Sequence, residues 1–119
     1  MDRKIRYITL IFLGLFLVGL SDPAFTQDIN DAKRSIKKGD QEKRADNYEG
    51  AIAAFEKTIQ ICNQLGDEAG VNELKTAAQK KVTKSHLDYG NELFSNDKFA
   101  QALEHYNKAV ELSDEYGLS

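Results

Sequence analysis

The segment YEGAIAAFEKTIQIC (residues 48–62) is followed 51 residues later by a segment of the same pattern, FAQALEHYNKAVELS (residues 99–113). Large and small side chains agree in kind at most positions of the two segments. The clearest matches are Tyr48 with Phe99, Ala51 with Ala102, Ile52 with Leu103, Phe55 with Tyr106, and Ile59 with Val110. The same offset places Gly39 over Gly90. Self-similarity at a fixed spacing is the first indication of a repeat architecture.

Each segment has the pattern of one amphipathic helix, because its apolar residues recur at steps of three and four. A further helix is expected before each segment, over roughly residues 28–44 and 67–95. The expected capping residues are Asp46-Asn47, Asn96-Asp97 and Asp67 at helix starts, and Gly66 and Gly117 at helix ends. The sequence therefore predicts an all-α fold in which a unit of helix, tight turn and helix occurs twice.

This arrangement resembles the tetratricopeptide repeat (TPR) family, whose unit of about 34 residues is a helix hairpin with a small–x3–aromatic pattern in its second helix. The matching units are about residues 32–65 and 83–116. The residues that carry the match are Gly39, Tyr48, Ala51 and Phe55 in the first unit, and Gly90, Phe99, Ala102, Tyr106 and Ala109 in the second. The first unit has Thr58 in place of the family's later Ala, and neither unit has the closing Pro. The resemblance implies antiparallel helix-hairpin repeats, a TPR-like α-solenoid.

The small residues of the pattern have a physical role, because two helices come within about 8–10 Å only where one of them is flat. Gly39 and Gly90 are expected to provide those flat positions, with Phe55 and Tyr106 packed beside them. The alternative is an ordinary amphipathic bundle. It is less favoured because a mid-helix Gly costs about 1 kcal/mol relative to Ala, and here it occurs twice in register.

The helix that begins the second unit is expected to be long. Apolar residues at helical spacing continue upstream of that unit, at Val71, Leu74, Ala78 and Val82. A single central helix of about 28 residues would be about 42 Å long. It is expected to extend beyond its neighbours and to leave apolar surface uncovered.

Residues 1–26 have the layout of a secretory signal peptide, with positive charges at Arg3, Lys4 and Arg6 before an apolar run from Ile8 to Leu20. A run of about 13 residues is shorter than the roughly 20 that a membrane-spanning helix needs. We expect cleavage near Gln27 and export of residues 27–119 to a bacterial periplasm or to the outside of the cell. The alternative is a membrane anchor formed by residues 7–20, and membrane association is expected only if the leader is retained.

Several classes of function are not indicated by the sequence. A net charge of −3 provides no basic patch of the kind that binds nucleic acid. Cys62 is the single cysteine, and His86 and His105 lack metal-ligand spacing, so no metal site or cofactor is expected. No catalytic motif is present, and the chain is not expected to be an enzyme. We expect His86 to pack between helices and His105 to be solvated.

The family resemblance implies a protein-binding module with a groove formed by the first helix of each unit. The groove residues would be Lys33, Ile36, Lys37, Asp40 and Lys43 in the first unit, and Lys84, Leu87, Asp88, Asn91 and Phe94 in the second. Asn91 lies where some members of the family hold a peptide backbone. The alternative is that these side chains form ordinary solvated helix faces.

The function expected from the sequence is a non-enzymatic interaction module or scaffold with an unknown protein or peptide partner. One alternative is the extracytoplasmic input region of a larger TPR-containing sensor. Another is a self-associating structural subunit, because Ala109, Val110 and Leu112 are expected to leave apolar surface open on the last helix. A homodimer, a tight partner or further repeats would cover that surface.

Overall fold

The computed structural model describes residues 27–118, and this part of the chain is all-helical, as the sequence predicts. The predicted signal peptide, residues 1–26, lies outside the described residues. The four helices are α1 (Ile29–Arg44), α2 (Tyr48–Leu65), α3 (Val71–Ser95) and α4 (Phe99–Tyr116). None of these helices combines the length and the hydropathy that crossing a membrane requires.

The starts of the helices agree only partly with the sequence expectation. Asp28 caps α1 through a reciprocal pair of hydrogen bonds with Asp31, at 2.8 and 3.1 Å. Asn47 caps α2, since its Oδ1 accepts from the Gly50 amide at 3.2 Å. The predicted cap of α4 at residues 96–97 is wrong, because the capping position belongs to Lys98 and receives no side-chain hydrogen bond. A lysine side chain carries only donors and cannot accept one.

The turns from α1 to α2 and from α3 to α4 have the same geometry. Asp46 has a φ of 59° and Asp97 a φ of 62°, in the left-handed region that a short polar side chain tolerates. The Asn47 amide donates to the Glu42 carbonyl at 2.9 Å, and the Lys98 amide donates to the Leu93 carbonyl at 2.9 Å. The correspondence at 51 residues therefore extends to the backbone. We call α1 and α2 the first hairpin, and α3 and α4 the second hairpin.

The central helix α3 is 25 residues long, or about 38 Å, and it begins four residues later than expected. Gly66 ends α2 with a φ of 71°, and Gly70 takes the capping position of α3 with a φ of 83°. Because the left-handed residue Gly70 interrupts the helical backbone, Asp67 does not cap α3.

Two clusters of buried side chains join the hairpins. The first contains Ala51, Ile52, Phe55, Val82 and Leu112, from α2, α3 and α4. The second contains Ala32, Ile61, Cys62 and Val71, from α1, α2 and α3. The early part of α3 is therefore covered by the first hairpin, contrary to the expectation that it would leave Ala78 and Val82 open. Both residues are at most 1% exposed.

In each hairpin, a glycine of the first helix lies directly against an aromatic ring of the second helix. A Cβ on Gly39 would lie 2.6 Å from Cδ1 of Phe55, and a Cβ on Gly90 would lie 2.7 Å from Cε1 of Tyr106. Among the other residues of the family pattern, Ala51, Ala102 and Ala109 are buried and Tyr48 is half-buried. Phe99 differs from the expectation, since it is 54% exposed and packs edge-to-face on Phe94 with 5.0 Å between ring centroids.

Candidate protein-interaction face

The first helices of the two hairpins, α1 and α3, are joined by two ion pairs. Lys81 Nζ lies 2.9 Å from Asp40 Oδ1, and Lys43 Nζ lies 2.9 Å from Asp88 Oδ2. Lys84 also reaches Asp88, at 3.4 Å. We call the surface that carries these pairs, together with the exposed Lys33 and Lys37 of α1, the first-helix face.

The first-helix face is basic on a chain of net negative charge. Five lysines lie on it against two aspartates, and both aspartates are engaged by lysines. Burial acts to raise the pKa of Asp88, but the hydrogen bond from Lys43 and the charges of Lys43 and Lys84 outweigh it and hold that pKa below its ordinary value. Within residues 27–118, Lys33 and Lys37 have no carboxylate at salt-bridge distance. These two cations remain available to an acidic ligand.

Asn91, the residue expected to hold a peptide backbone, is exposed on α3. Its Oδ1 accepts a hydrogen bond from the Tyr106 hydroxyl at 2.7 Å. The amide nitrogen of Asn91 therefore faces solvent as a donor, which is the group that would bind a peptide carbonyl.

The other predicted groove residues do not all lie on the first-helix face. Ile36 is half-buried against the first core cluster. Leu87 lines a groove of about 510 Å³ between α3 and α4, with Tyr106 and Val110. Phe94 packs on Phe99 of α4. The predicted set is thus divided between a basic face and an apolar surface of the second hairpin.

That apolar surface holds every large hydrophobic side chain that is exposed in the described part of the chain. The exposed fractions are 44% at Leu87, 55% at Phe94, 54% at Phe99, 58% at Leu103 and 62% at Val110. We call these five residues the apolar strip. Ala109 and Leu112, which were expected to contribute open surface here, are buried at 8% and 6% exposure.

The outer side of the first hairpin has the opposite character. A groove of about 450 Å³ between α1 and α2 is lined mainly by charged and polar residues. Its charged members, which we call the charged face, are Asp31, Arg34, Lys38, Glu42 and Lys57. An ion pair between Arg34 and Asp31 lies within it.

The two histidines form a contact that the sequence reasoning missed. Nδ1 of His86 lies 3.0 Å from Nδ1 of His105, and the rings stack with 5.2 Å between centroids. His105 also lies against Tyr89, with 4.3 Å between the ring centroids, so the expectation of a solvated His105 is wrong. The offset of 51 residues offered a signal, because His86 and His105 occupy the places that Ser35 and Ala54 occupy in the first hairpin.

His86 itself packs between helices, at 7% exposure. Burial lowers its pKa from 6.5 to about 4, and the charges of His105 and Lys108 act in the same direction. Its Nε2 is buried, and among the described residues it has no hydrogen-bond partner. The imidazole is therefore neutral at pH 7 and serves as a packing group.

Residues 27–118 contain no group of three or more His, Cys, Asp and Glu side chains that could hold a metal ion. Cys62 is buried, and burial raises the pKa of its thiol, although Lys75 opposes that shift. Compared with protein-family models, curated proteins and solved structures, the chain matches none.

Proposed function

We propose that this chain is a non-enzymatic protein-binding module of the tetratricopeptide type that acts outside the cytoplasm. The units would be residues 32–65 and 83–116. The proposal is supported by features that recur 51 residues apart, namely the left-handed Asp46 and Asp97 and the contacts of Gly39 with Phe55 and of Gly90 with Tyr106. The extracytoplasmic location rests on the leader pattern of residues 1–26.

The partner we propose is an acidic segment of another protein, held on the first-helix face. The observation that carries this choice is that Lys33 and Lys37 are exposed without a carboxylate partner in the described part of the chain, beside aspartates that are already paired. Electrostatic complementarity of this kind determines which partner is accepted and speeds association.

The test is binding of a fluorescent, glutamate-rich synthetic peptide to the exported chain. The double variant Lys33→Glu, Lys37→Glu should bind it roughly tenfold or more weakly, because charge reversal replaces attraction by repulsion. The matched control is Lys38→Glu, Lys57→Glu, which makes the same charge change on the charged face. Its dissociation constant should stay within about twofold of that of the parent chain.

A peptide in which glutamine replaces every glutamate should not bind. Equal losses of affinity in the two double variants would mean that net charge alone, and not the first-helix face, attracts the peptide. Absence of binding by the parent chain would also count against the proposal.

A further inference from the structure

The apolar strip can be compared with the residues at the corresponding positions of the first hairpin, which serve as its template. By the offset of 51 residues, Leu87, Leu103 and Val110 correspond to Ile36, Ile52 and Ile59. Those three isoleucines are buried or half-buried in the cluster that joins the two hairpins. The strip is therefore the same kind of surface as the one through which the first hairpin receives the second, with nothing in the described structure covering it.

The strip differs from its template in charge, and this difference bears on its occupant. The first hairpin holds α3 with Asp40 and Lys43, which pair with Lys81 and Asp88. The corresponding residues of the second hairpin are Asn91 and Phe94, neither of which carries a charge. At these two positions the strip therefore has no group that could form the ion pairs by which the first hairpin holds α3. Its contacts with a partner would be mainly apolar.

A second copy of the chain cannot cover the strip with its other end. The charged face of the first hairpin would place Lys38 and Lys57, which have no ion-pair partner within residues 27–118, against exposed leucine and phenylalanine side chains, and burying such charges is unfavourable. Head-to-tail contacts of that kind would also leave an open filament wherever the rotation between copies does not close a ring. A contact that pairs strip with strip avoids both difficulties.

We infer that the strip docks against the strip of a second copy, giving an isologous dimer with a bundle of α3 and α4 from each copy. This inference goes beyond the proposed function, because it concerns a surface distinct from the first-helix face. Charges at the edges of the strip fit this arrangement. Lys80 is exposed on α3 and Asp114 is exposed on α4, and within residues 27–118 neither has an ion-pair partner.

The charges also select the orientation. A two-fold axis parallel to the helices places α3 of one copy over α4 of the other. Gly90 of α3 lies against Tyr106 of α4, so Lys80, ten residues earlier, is level with the last turn of α4. In this dimer Lys80 of one copy lies beside Asp114 of the other, and the reverse contact follows by symmetry.

The test uses the full chain, expressed in a host that exports it and purified in the form that the host produces. Sedimentation at micromolar concentration should show a dimer. Val110→Lys should raise the dissociation constant of the dimer about tenfold or more, because it places a charge in the centre of the strip. The matched control, Gln101→Lys, makes the same charge change at an exposed position of α4 outside the strip and should leave the dimer unchanged.

A charge exchange then tests the orientation. Lys80→Glu alone and Asp114→Lys alone should each weaken the dimer, and the double variant should recover it. Circular dichroism verifies that each variant stays folded. The inference is overturned by a monomeric parent chain, by a Val110→Lys dimer as tight as the parent, or by failure of the double variant to recover the dimer. None of these results affects the peptide binding of the first-helix face, which is measured separately.

Discussion

The contact between His86 and His105 occupies the place where the first hairpin has a hydrogen bond from the Ser35 hydroxyl to the Ala54 carbonyl, 2.8 Å long. A hydroxyl and a carbonyl satisfy each other without a titratable group. The contact between two imidazoles in the same place needs one ring to accept at Nδ1, and protonation of that ring removes the lone pair with which it accepts. The second hairpin is therefore sensitive to protons at a position where the first is not.

Stability is expected to fall in mild acid because of this histidine pair. The pKa of His86 is 6.5 as a free side chain and about 4 in the folded chain, so the unfolded state binds more protons between these values. The stabilisation is complete above about pH 6.5 and is lost as pH falls toward 4. This stabilisation should be about 2 kcal/mol. It is smaller than the difference between the two pKa values of His86 implies, because water reaches the half-buried His105 and screens the charge.

Urea denaturation at pH 7 and at pH 4.5 measures this loss. His86→Phe keeps an aromatic ring between the helices and removes the titration, so its free energy of unfolding should depend less on pH over the same interval. An equal pH dependence in His86→Phe and the parent chain would assign the acid sensitivity to carboxylates instead.

At the scale of the helix, the close approach of α1 to α2 depends on Gly39. The ring of Phe55 is fully buried and lies against the Gly39 backbone, so a methyl group at position 39 would overlap it. In the second hairpin the ring against Gly90 belongs to Tyr106, which is half-buried and whose hydroxyl reaches Asn91. The two glycines are therefore not equally sensitive to substitution.

Gly39→Ala should destabilise the chain by up to about 2 kcal/mol. Alanine gains about 1 kcal/mol of helix propensity, but overpacking against a ring that cannot move costs about 1–3 kcal/mol. Gly90→Ala should change the free energy of unfolding by less than about 1 kcal/mol, because the Tyr106 ring can move toward solvent. Urea denaturation at pH 7 compares them, and a Gly39→Ala variant more stable than the parent would contradict the assigned approach.

Helix pattern and the glycine positions could be predicted because they follow from local spacing in the sequence. The starts of α3 and α4 could not, since they depend on single backbone conformations such as the left-handed Gly70 and on the exact residue that takes the cap, Lys98. Phe99 was expected in the core by analogy with Tyr48. It is exposed because Tyr48 stacks on Tyr89 of the next helix at 5.5 Å, whereas no described helix follows α4.

The candidate site was predictable only in part for a similar reason. The repeat register predicts which residues of the first helices lie on the first-helix face, and Lys33 and Lys37 are among them. The ion pairs of Asp40 and Asp88 form because α1 and α3 lie side by side. The sequence alone does not reveal this arrangement of the helices, and so it does not reveal the ion pairs. The division between a basic face and an apolar strip appears only when the two hairpins are placed together.

At the scale of the whole described structure, residues 27–118, one end is charged and the other is apolar. The charged face lies at one end of these residues and consists of side chains that water solvates. The apolar strip leaves the other end open to a partner. Association of two copies through the apolar strip alone, as inferred above, would stop at a dimer and would not propagate.

Cys62 gives this molecule an internal probe of how its parts come apart. The thiol is 1% exposed in the cluster where α1, α2 and α3 meet. A thiol-specific reagent can therefore modify the native chain only when that junction opens. We expect modification to be slow and its rate to rise with urea as steeply as global unfolding does, because three helices must separate together.

A Gln101→Cys variant supplies the comparison, since that position is exposed on α4 and should react at once. If Cys62 instead reacted quickly and independently of urea, the junction would open on its own while the rest of the molecule stayed folded. The kinetics of a single sulfur atom thereby distinguish a molecule that unfolds as one cooperative unit from one whose first helix detaches separately.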